Sequence, residues 1–257
     1  NLVMNRVAEE QLMTQSSYTD GYRNENLEAE LHYNHLFGNK HDIGGTLKYF
    51  QYQKVKTADV GDDIMKAVAR RSQGFSGRVT YGYDYRYFAE FNFGYTGSEN
   101  FESGNQFGFF PAISVGWNLA EEKFIKSRIK WLDMFKIRYS YGEVGNDRLD
   151  SDERLNRFPY LNSFGTMDGW NYGDVNNTYS FNGYHYSQIG SMNLTWERAK
   201  KHNLGIDLAL LNNKFSLTLD IYKDTRDQIF MKRQYLPQTV GVTSQPWANV
   251  GKMESKG

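Results

Sequence analysis

The feature that most limits what this chain can fold into is a two-residue alternation of apolar and polar side chains, repeated along most of its 257 residues. Leu27, Ala29, Leu31 and Tyr33 are interleaved with Glu28, Glu30, His32 and Asn34. After a turn at 36–41 come Ile43, Gly45, Leu47 and Tyr49. Phe75, Gly77, Val79, Tyr81 and Tyr83 follow, then Tyr87, Ala89, Phe91, Phe93 and Tyr95 beyond a turn at 84–86. Pro111, Ile113, Val115 and Trp117 form the next set, then Phe135, Ile137, Tyr139 and Tyr141. The last clear pair is Leu204, Ile206, Leu208, Leu210 and Phe215, Leu217, Leu219, Ile221, joined by Asn212-Asn213-Lys214. A period of two is the signature of a strand with unlike faces. The chain is 23% charged, so about eight charges are expected by chance on a face of this size. There are none.

The links between these eight strands differ in length. Short ones lie at 36–41, 84–86 and 212–214, with a moderate one at 119–132; long ones lie at 52–73, 97–107, 143–190 and 230–248. Short turns on one rim and long loops on the other are the pattern of an outer-membrane barrel, with periplasmic turns and extracellular loops. Met192, Leu194 and Trp196 share the parity of Leu204–Leu210, so the spacing predicts one long strand over 191–211. Asn249–Gly257 starts a ninth strand.

The reading is therefore all-β: an antiparallel transmembrane β-barrel wall, nine strands of a larger barrel, spanning 1–257 as one partial barrel domain. Mean hydropathy is −0.70, and no stretch reaches the ~20 apolar residues of a membrane helix. A barrel wall escapes that test, because lipid-facing residues alternate with lumen-facing polar ones. Thirty basic residues balance thirty acidic ones, so nothing calls for nucleic acid. The absence of cysteine rules out a disulfide framework and thiolate metal sites. The N-terminus Asn1-Leu2-Val3-Met4 lacks a charged region followed by an apolar run, which suggests an internal piece of a longer chain.

Several motifs then occur in order. They are Arg78-Val-Thr-Tyr-Gly-Tyr-Asp-Tyr-Arg86-Tyr-Phe-Ala-Glu-Phe, Phe109-Phe-Pro111-Ala-Ile-Ser-Val-Gly116-Trp117 with Glu121-Glu122-Lys123-Phe124, and Phe135-Lys-Ile-Arg138-Tyr-Ser-Tyr141-Gly142-Glu-Val-Gly145-Asn146. Leu194-Thr-Trp196-Glu197, Asn203-Leu-Gly205-Ile-Asp207, Asp220-Ile-Tyr222-Lys-Asp-Thr225 and Asn249-Val-Gly251-Lys-Met-Glu-Ser-Lys-Gly257 follow. Together they resemble the SusC-like (SusC/RagA-type) TonB-dependent outer-membrane transporters. The departure is at Tyr95-Thr-Gly97-Ser98-Glu99-Asn100-Phe101, where the family often has Asp-Gly-Ser-Ser. The resemblance implies a plugged barrel of about 22 strands in the bacterial outer membrane. It implies TonB-powered import of glycan oligomers or peptides and a SusD-like surface lipoprotein lid. The plug, and with it the TonB contact, has no counterpart in these residues. A passive porin-like or adhesin-type barrel is the alternative.

No cofactor motif and no enzyme motif stands out. His32, His35 and His41 could imitate a metal site, but polar rim residues are the better reading. Asp147, Asp150, Asp152 and Glu153 loosely suggest Ca²⁺ ligands, though a solvated loop is favoured. Trp170, Tyr172, Tyr179, Phe181, Tyr184 and Tyr186 sit among asparagines and glycines in the longest loop. Aromatic faces with amides suit sugar rings, peptides or a protein lid, and equally suit self-packing. By parity Glu90, Lys136, Arg138, Asp207 and Asp220 face the lumen, where they would meet plug or solute. Tyr49, Tyr81, Tyr87, Trp117, Tyr139 and Tyr141, with Tyr83 and Tyr95, are expected near strand ends as interface aromatics facing outer-membrane lipid.

Overall fold

The computed structural model describes residues 21–56, 68–148, 158–174, 178–233 and 245–257. The strands are β1 (Tyr22–Phe37), β2 (His41–Lys56), β3 (Arg70–Tyr83), β4 (Tyr87–Ser98), β5 (Phe107–Asn118), β6 (Leu132–Asn146), β7 (Ser163–Gly173), β8 (Thr178–Gln188), β9 (Glu197–Leu210), β10 (Phe215–Lys232) and β11 (Trp247–Lys256). Nine of them form one antiparallel sheet in the order β1-β2-β3-β4-β5-β6-β9-β10-β11, and β7 pairs only with β8. Two tight turns set the pairing at one rim. Gly38 and Asn39, and Asp84 and Tyr85, all have φ between 48° and 56°, the left-handed pair of a type I′ hairpin turn whose twist matches the strands.

The register brings every apolar set onto the same side. One row runs from Tyr33 through Gly45, Val79, Phe91, Ile113 and Tyr141 to His202. The next row runs from His35 through Ile43, Tyr81, Ala89, Val115, Tyr139 and Leu204 to Ile221. A slip of one residue at any pair would turn a strand's apolar side over. That apolar face is bare: Leu31 is 72% exposed, Val79 51% and Leu219 52%. A soluble sandwich would bury such a face against a second sheet, and this single sheet does not. The opposite face is concave, since residues from the β1–β2 turn round to Asn203 of β9 line one hollow of ≈ 610 Å³.

Two expectations need correction. The segment 191–211 is not one long strand. Strand β9 begins at Glu197, and Leu194 and Trp196 turn inward to become 1% and 6% exposed. The 143–190 stretch is not all loop, because β6 runs to Asn146 and β7 and β8 make a hairpin of their own. The 119–132 link contains a 3-10 turn at Leu119–Glu121 and a short helix α1 (Lys123–Arg128). Strands also outrun their sequence bounds: β10 has 18 residues, whereas about 9–11 suffice to cross a bilayer.

The bare face makes a direct prediction. Leu219 is the fifth residue of β10 and lies near the middle of a crossing. Leu219→Arg is expected to cost about 2–4 kcal/mol of folding free energy in lipid vesicles, read by denaturant titration of the full-length protein. Thr218→Arg, on the opposite face beside Asp207, is expected to be close to neutral. Equal costs would mean that the two faces are not differently solvated.

Candidate functional site

The polar face carries the charges that the alternation predicts. Arg138 of β6 is paired across Gly205 of β9, and Gly205 in turn lies opposite Asp220 of β10. The guanidinium donates to Asp207 through Nε at 3.0 Å and to Asp220 through Nη2 at 2.8 Å. Asn203 Nδ2 donates to the same Asp220 at 3.0 Å. Gly205 leaves the path open, because a Cβ there would come within 2.5 Å of Arg138 Cζ. Glu90 accepts from Arg78 at 2.9 Å and from Asn92 at 2.8 Å. Lys136 stands apart, with Nζ 4.6 Å from the centre of the Phe88 ring. Four of the five expected lumen charges thus pair within the wall. Such half-exposed pairs each contribute roughly 0–1 kcal/mol, so their main effect is to hold a hydrophilic face in one geometry.

The expected interface aromatics fall at two levels. Tyr81, Tyr87 and Trp117 lie within two residues of the ends of β3, β4 and β5 at the short-turn rim. Tyr87 and Trp117 stack with centroids 6.3 Å apart. Both donate to the buried Glu122 carboxylate, Tyr87 at 2.7 Å and the Trp117 indole at 3.1 Å. Arg86 approaches the same carboxylate at 3.5 Å. Glu122 thereby ties the link carrying α1 to the β3–β4 turn. The Tyr87 hydroxyl first, then the Trp117 indole, and after them the Arg86 charge, hold its carboxyl below the usual range. Tyr49, Tyr139 and Tyr141, also expected near strand ends, instead sit in the middle stretch of their strands, eight to ten residues along from that rim, because β2 and β6 run on well past the apolar set. Tyr49 packs on Phe75, Tyr139 bonds His202 Nδ1 at 2.9 Å, and Tyr141 donates to Glu143 at 2.6 Å.

The long-loop rim holds the main hydrophobic core among the described residues: Phe101, Leu194, Trp196 and Phe230, with Phe110 and Trp247 packed against them. Pro111 explains its place. It has no N–H to offer a ladder, and β5–β6 pairing reaches only as far as Ala112, the residue that follows it in the chain. Phe110 then packs edge-on against Trp196 at 5.2 Å, and Trp196 Nε1 donates to the Gln106 carbonyl at 3.1 Å. Asn249 clamps the backbone of Thr195 through both amide atoms at 2.9 and 2.8 Å. Sequence reading missed this cluster, because Leu194 and Trp196 keep strand parity while leaving the strand.

All six loop aromatics lie on the β7–β8 hairpin. Trp170 is paired with Phe181 and Tyr172 with Tyr179 on one face; Tyr184 and Tyr186, opposite Thr166 and Phe164, occupy the other. They are largely exposed, from 48% at Tyr186 to 74% at Trp170, while Tyr186 also packs on Phe164 at 4.5 Å and Tyr172 meets Phe181 edge-on at 6.2 Å. Of the histidines, His32 bonds Thr46 at 3.1 Å and His41 bonds Tyr81 at 2.9 Å. Asp150, Asp152 and Glu153 of the acidic cluster lie outside the described residues.

The model of the β-barrel of TonB dependent receptor-like proteins matches residues 5–257. The chain is 33% identical over 181 residues to TonB-dependent receptor P3 of Formosa agariphila, covering 70% of this chain and 17% of that protein. It is 28% identical over 212 residues to TonB-dependent receptor SusC of Bacteroides thetaiotaomicron, covering 80% and 20%. Among solved structures, that of the RagAB peptide transporter matches with a TM-score of 0.68 at 21% identity, covering 93% of this chain and 27% of the other. The siderophore receptor PirA from Pseudomonas aeruginosa matches with a TM-score of 0.55 at 12% identity, covering 93% and 39%. At these identities the structures establish the shared fold. The chain spans about a fifth of the length of the curated relatives it matches.

The depressed Glu122 carboxyl sets the acid response of the short-turn rim. A group with a lowered folded pKa contributes stability at neutral pH that is lost as pH falls through the folded value, here one that lies below the ordinary carboxylate range. Hydrogen-exchange protection of residues 84–88 and 117–123 is expected to drop below that pH in the native protein. In Glu122→Gln it should be lower at pH 7 and nearly flat in pH. A native profile without that drop would remove Glu122 from this role.

Proposed function

The chain belongs to the TonB-dependent receptor-like β-barrel family, and on that premise we propose that it forms part of the wall of an active transporter importing bulky nutrients, glycan oligomers or peptides, across the bacterial outer membrane. The observation that carries the reading is the wall itself. Nine strands present one continuous apolar face outward and an ion-paired face on the concave side. A barrel of the plugged class has about 22 strands, wide enough for a large solute once the plug shifts. That shift needs energy, which TonB supplies through the plug. The wall performs no covalent chemistry and is not an enzyme. Its share is a passage of fixed charge, a lipid-facing surface with aromatics at both interfaces, and the extracellular loops.

Two features support a lid of the SusD type over the long-loop rim. The match to the RagAB peptide transporter covers nearly the whole chain. The β7–β8 hairpin holds open aromatic faces on that rim, the composition that interface cores favour.

The proposal is tested in cells carrying the full-length protein. Uptake of labelled oligosaccharides or peptides should stop when TonB is deleted or the proton gradient collapsed. Uptake that persists, with steady conductance in planar bilayers, would establish a passive porin instead. Replacing 163–188 by a short Gly-Ser linker should leave the barrel folded. It should lower lid retention or uptake roughly tenfold or more, as expected for losing several aromatic contacts. Unchanged lid retention and uptake would show that the hairpin contributes to neither.

A further inference from the structure

The outward face changes character abruptly on three neighbouring strands. Leu210, Leu208, Ile206 and Leu204 of β9 and Phe215, Leu217, Leu219 and Ile221 of β10 are apolar. The next outward positions are His202, Lys200 and Arg198 on β9, and Lys223, Thr225 and Asp227 on β10. Strand β11 adds Lys256 opposite Lys223, Glu254 opposite Thr225, and Lys252 beside Asp227. Strand β6 adds Glu143 above Tyr141. On β2 to β5 the corresponding outward positions are uncharged, Gln51, Gln73, Gly97 and Phe107, while on β1 Glu25 and Arg23 stand above Leu27 and pair with each other.

Cations outnumber carboxylates in this patch. Glu143 is taken by Arg198 at 2.9 Å, Glu254 by Lys223 at 3.2 Å and Asp227 by Lys252 at 3.6 Å. Lys200 and Lys256 have no carboxylate at ion-pair distance among the described residues. Lys223 and Lys256 are direct cross-strand partners. Tyr222 and Gly257 exchange both backbone hydrogen bonds at 2.8 and 3.1 Å, so the adjacent 223–256 pair is of the non-hydrogen-bonded kind, in which side chains stand closer. Like charges placed so are destabilising unless an anion lies between them.

Height supplies the occupant. His202 and Lys223 are the ninth residues from the short-turn ends of β9 and β10, and a strand crosses the hydrocarbon in about 9–11. The lysines therefore stand at the headgroup level of the outer leaflet, directly above an apolar strip. We infer that this patch binds the phosphate of an anionic outer-leaflet lipid. Lys223 and Lys256 flank the phosphate, Lys200 reaches it from the next row, and acyl chains run down over Leu204, Ile221, Ile206 and Leu219. The inference rests on the orientation of the wall in the membrane and is independent of what is transported.

The test is native mass spectrometry of delipidated full-length protein titrated with bis-phosphorylated lipid A. The native protein should retain lipid A, and Lys223→Gln with Lys256→Gln should weaken that binding roughly 30-fold, from about one lysine–headgroup contact each. Lys223→Arg with Lys256→Arg should restore it, and Lys126→Gln on the short-turn rim should leave it unchanged. Dephosphorylated lipid A should bind as weakly as the double glutamine variant, and millimolar inorganic phosphate should not displace the lipid. Native affinity in the double glutamine variant, equal binding of the dephosphorylated lipid, or displacement by inorganic phosphate alone would each overturn the assignment.

Discussion

Backbone hydrogen bonding in a medium without water is the constraint from which the rest follows. In hydrocarbon each unpaired N–H or C=O costs several kcal/mol, so every membrane strand must be paired along both edges. Between the two terminal strands of the sheet, β2 to β6, β9 and β10 meet that demand with antiparallel neighbours on both sides, and tight turns fix register at one rim. Irregular backbone is confined to places where water or protein can satisfy it. Pro111 shows the boundary. It ends the β5–β6 ladder on the long-loop side, and the space beyond is filled by Phe110, Trp196 and Phe101 rather than left to lipid. The molecule is inverted relative to a soluble domain. Its largest apolar surface is outside, and its main buried hydrophobic cluster is a small plug under the loops.

The same constraint shapes the polar face. Charges there border a concave interior, and most of them are paired: of the five expected lumen charges, only Lys136 has no ion pair among the described residues and lies instead over the Phe88 ring. Arg138 bridges two carboxylates from the two following strands of the sheet, and Gly205 between them removes the side chain that would block the approach. The arrangement links three strands through side chains as well as backbone. At the short-turn rim Glu122 plays a comparable part, collecting a phenol, an indole and a guanidinium. In both cases a charged group in the middle of a polar cluster sets the geometry of groups contributed by different chain segments.

The wall was legible in the sequence because its code is local. A period of two, uncharged on one side, names both the strand and the face, and Leu27 to Ile221 all fall on the side read for them. The parity of Glu90, Lys136, Arg138, Asp207 and Asp220 was equally plain. Their partners were not, since pairing Arg138 with Asp220 depends on which strands become neighbours once β7 and β8 are set aside. The hairpin itself was hidden by its bulge. Between Met167 and Trp170 the register shifts, so aromatics that share one face near the base change to the other near the tip, and no single alternation runs through. Leu194 and Trp196 misled for the opposite reason. They keep the parity of β9 by coincidence while their burial comes from contacts with Phe101 and Phe230, far away in sequence.

That hairpin carries the functional reading furthest. Two strands alone are marginally stable in water, and each large aromatic left open forgoes the ~25 cal/mol per Å² that burial provides. The β7–β8 pair leaves Trp170, Tyr172, Tyr179, Phe181 and Tyr184 open nonetheless. Its base is fastened by polar contacts, Gln188 to the carbonyls of Phe158 and Leu161 and Gly190 N–H to Asn162. A sequence that secures a hairpin at its foot and leaves its aromatic faces bare gives up stability that a covering surface would restore. The cost of exposure is offset when a lid or a solute closes over it. The wall's apolar face and the hairpin's aromatic faces are thus two separate bare surfaces, one borne by the nine-stranded sheet and the other by a two-stranded one.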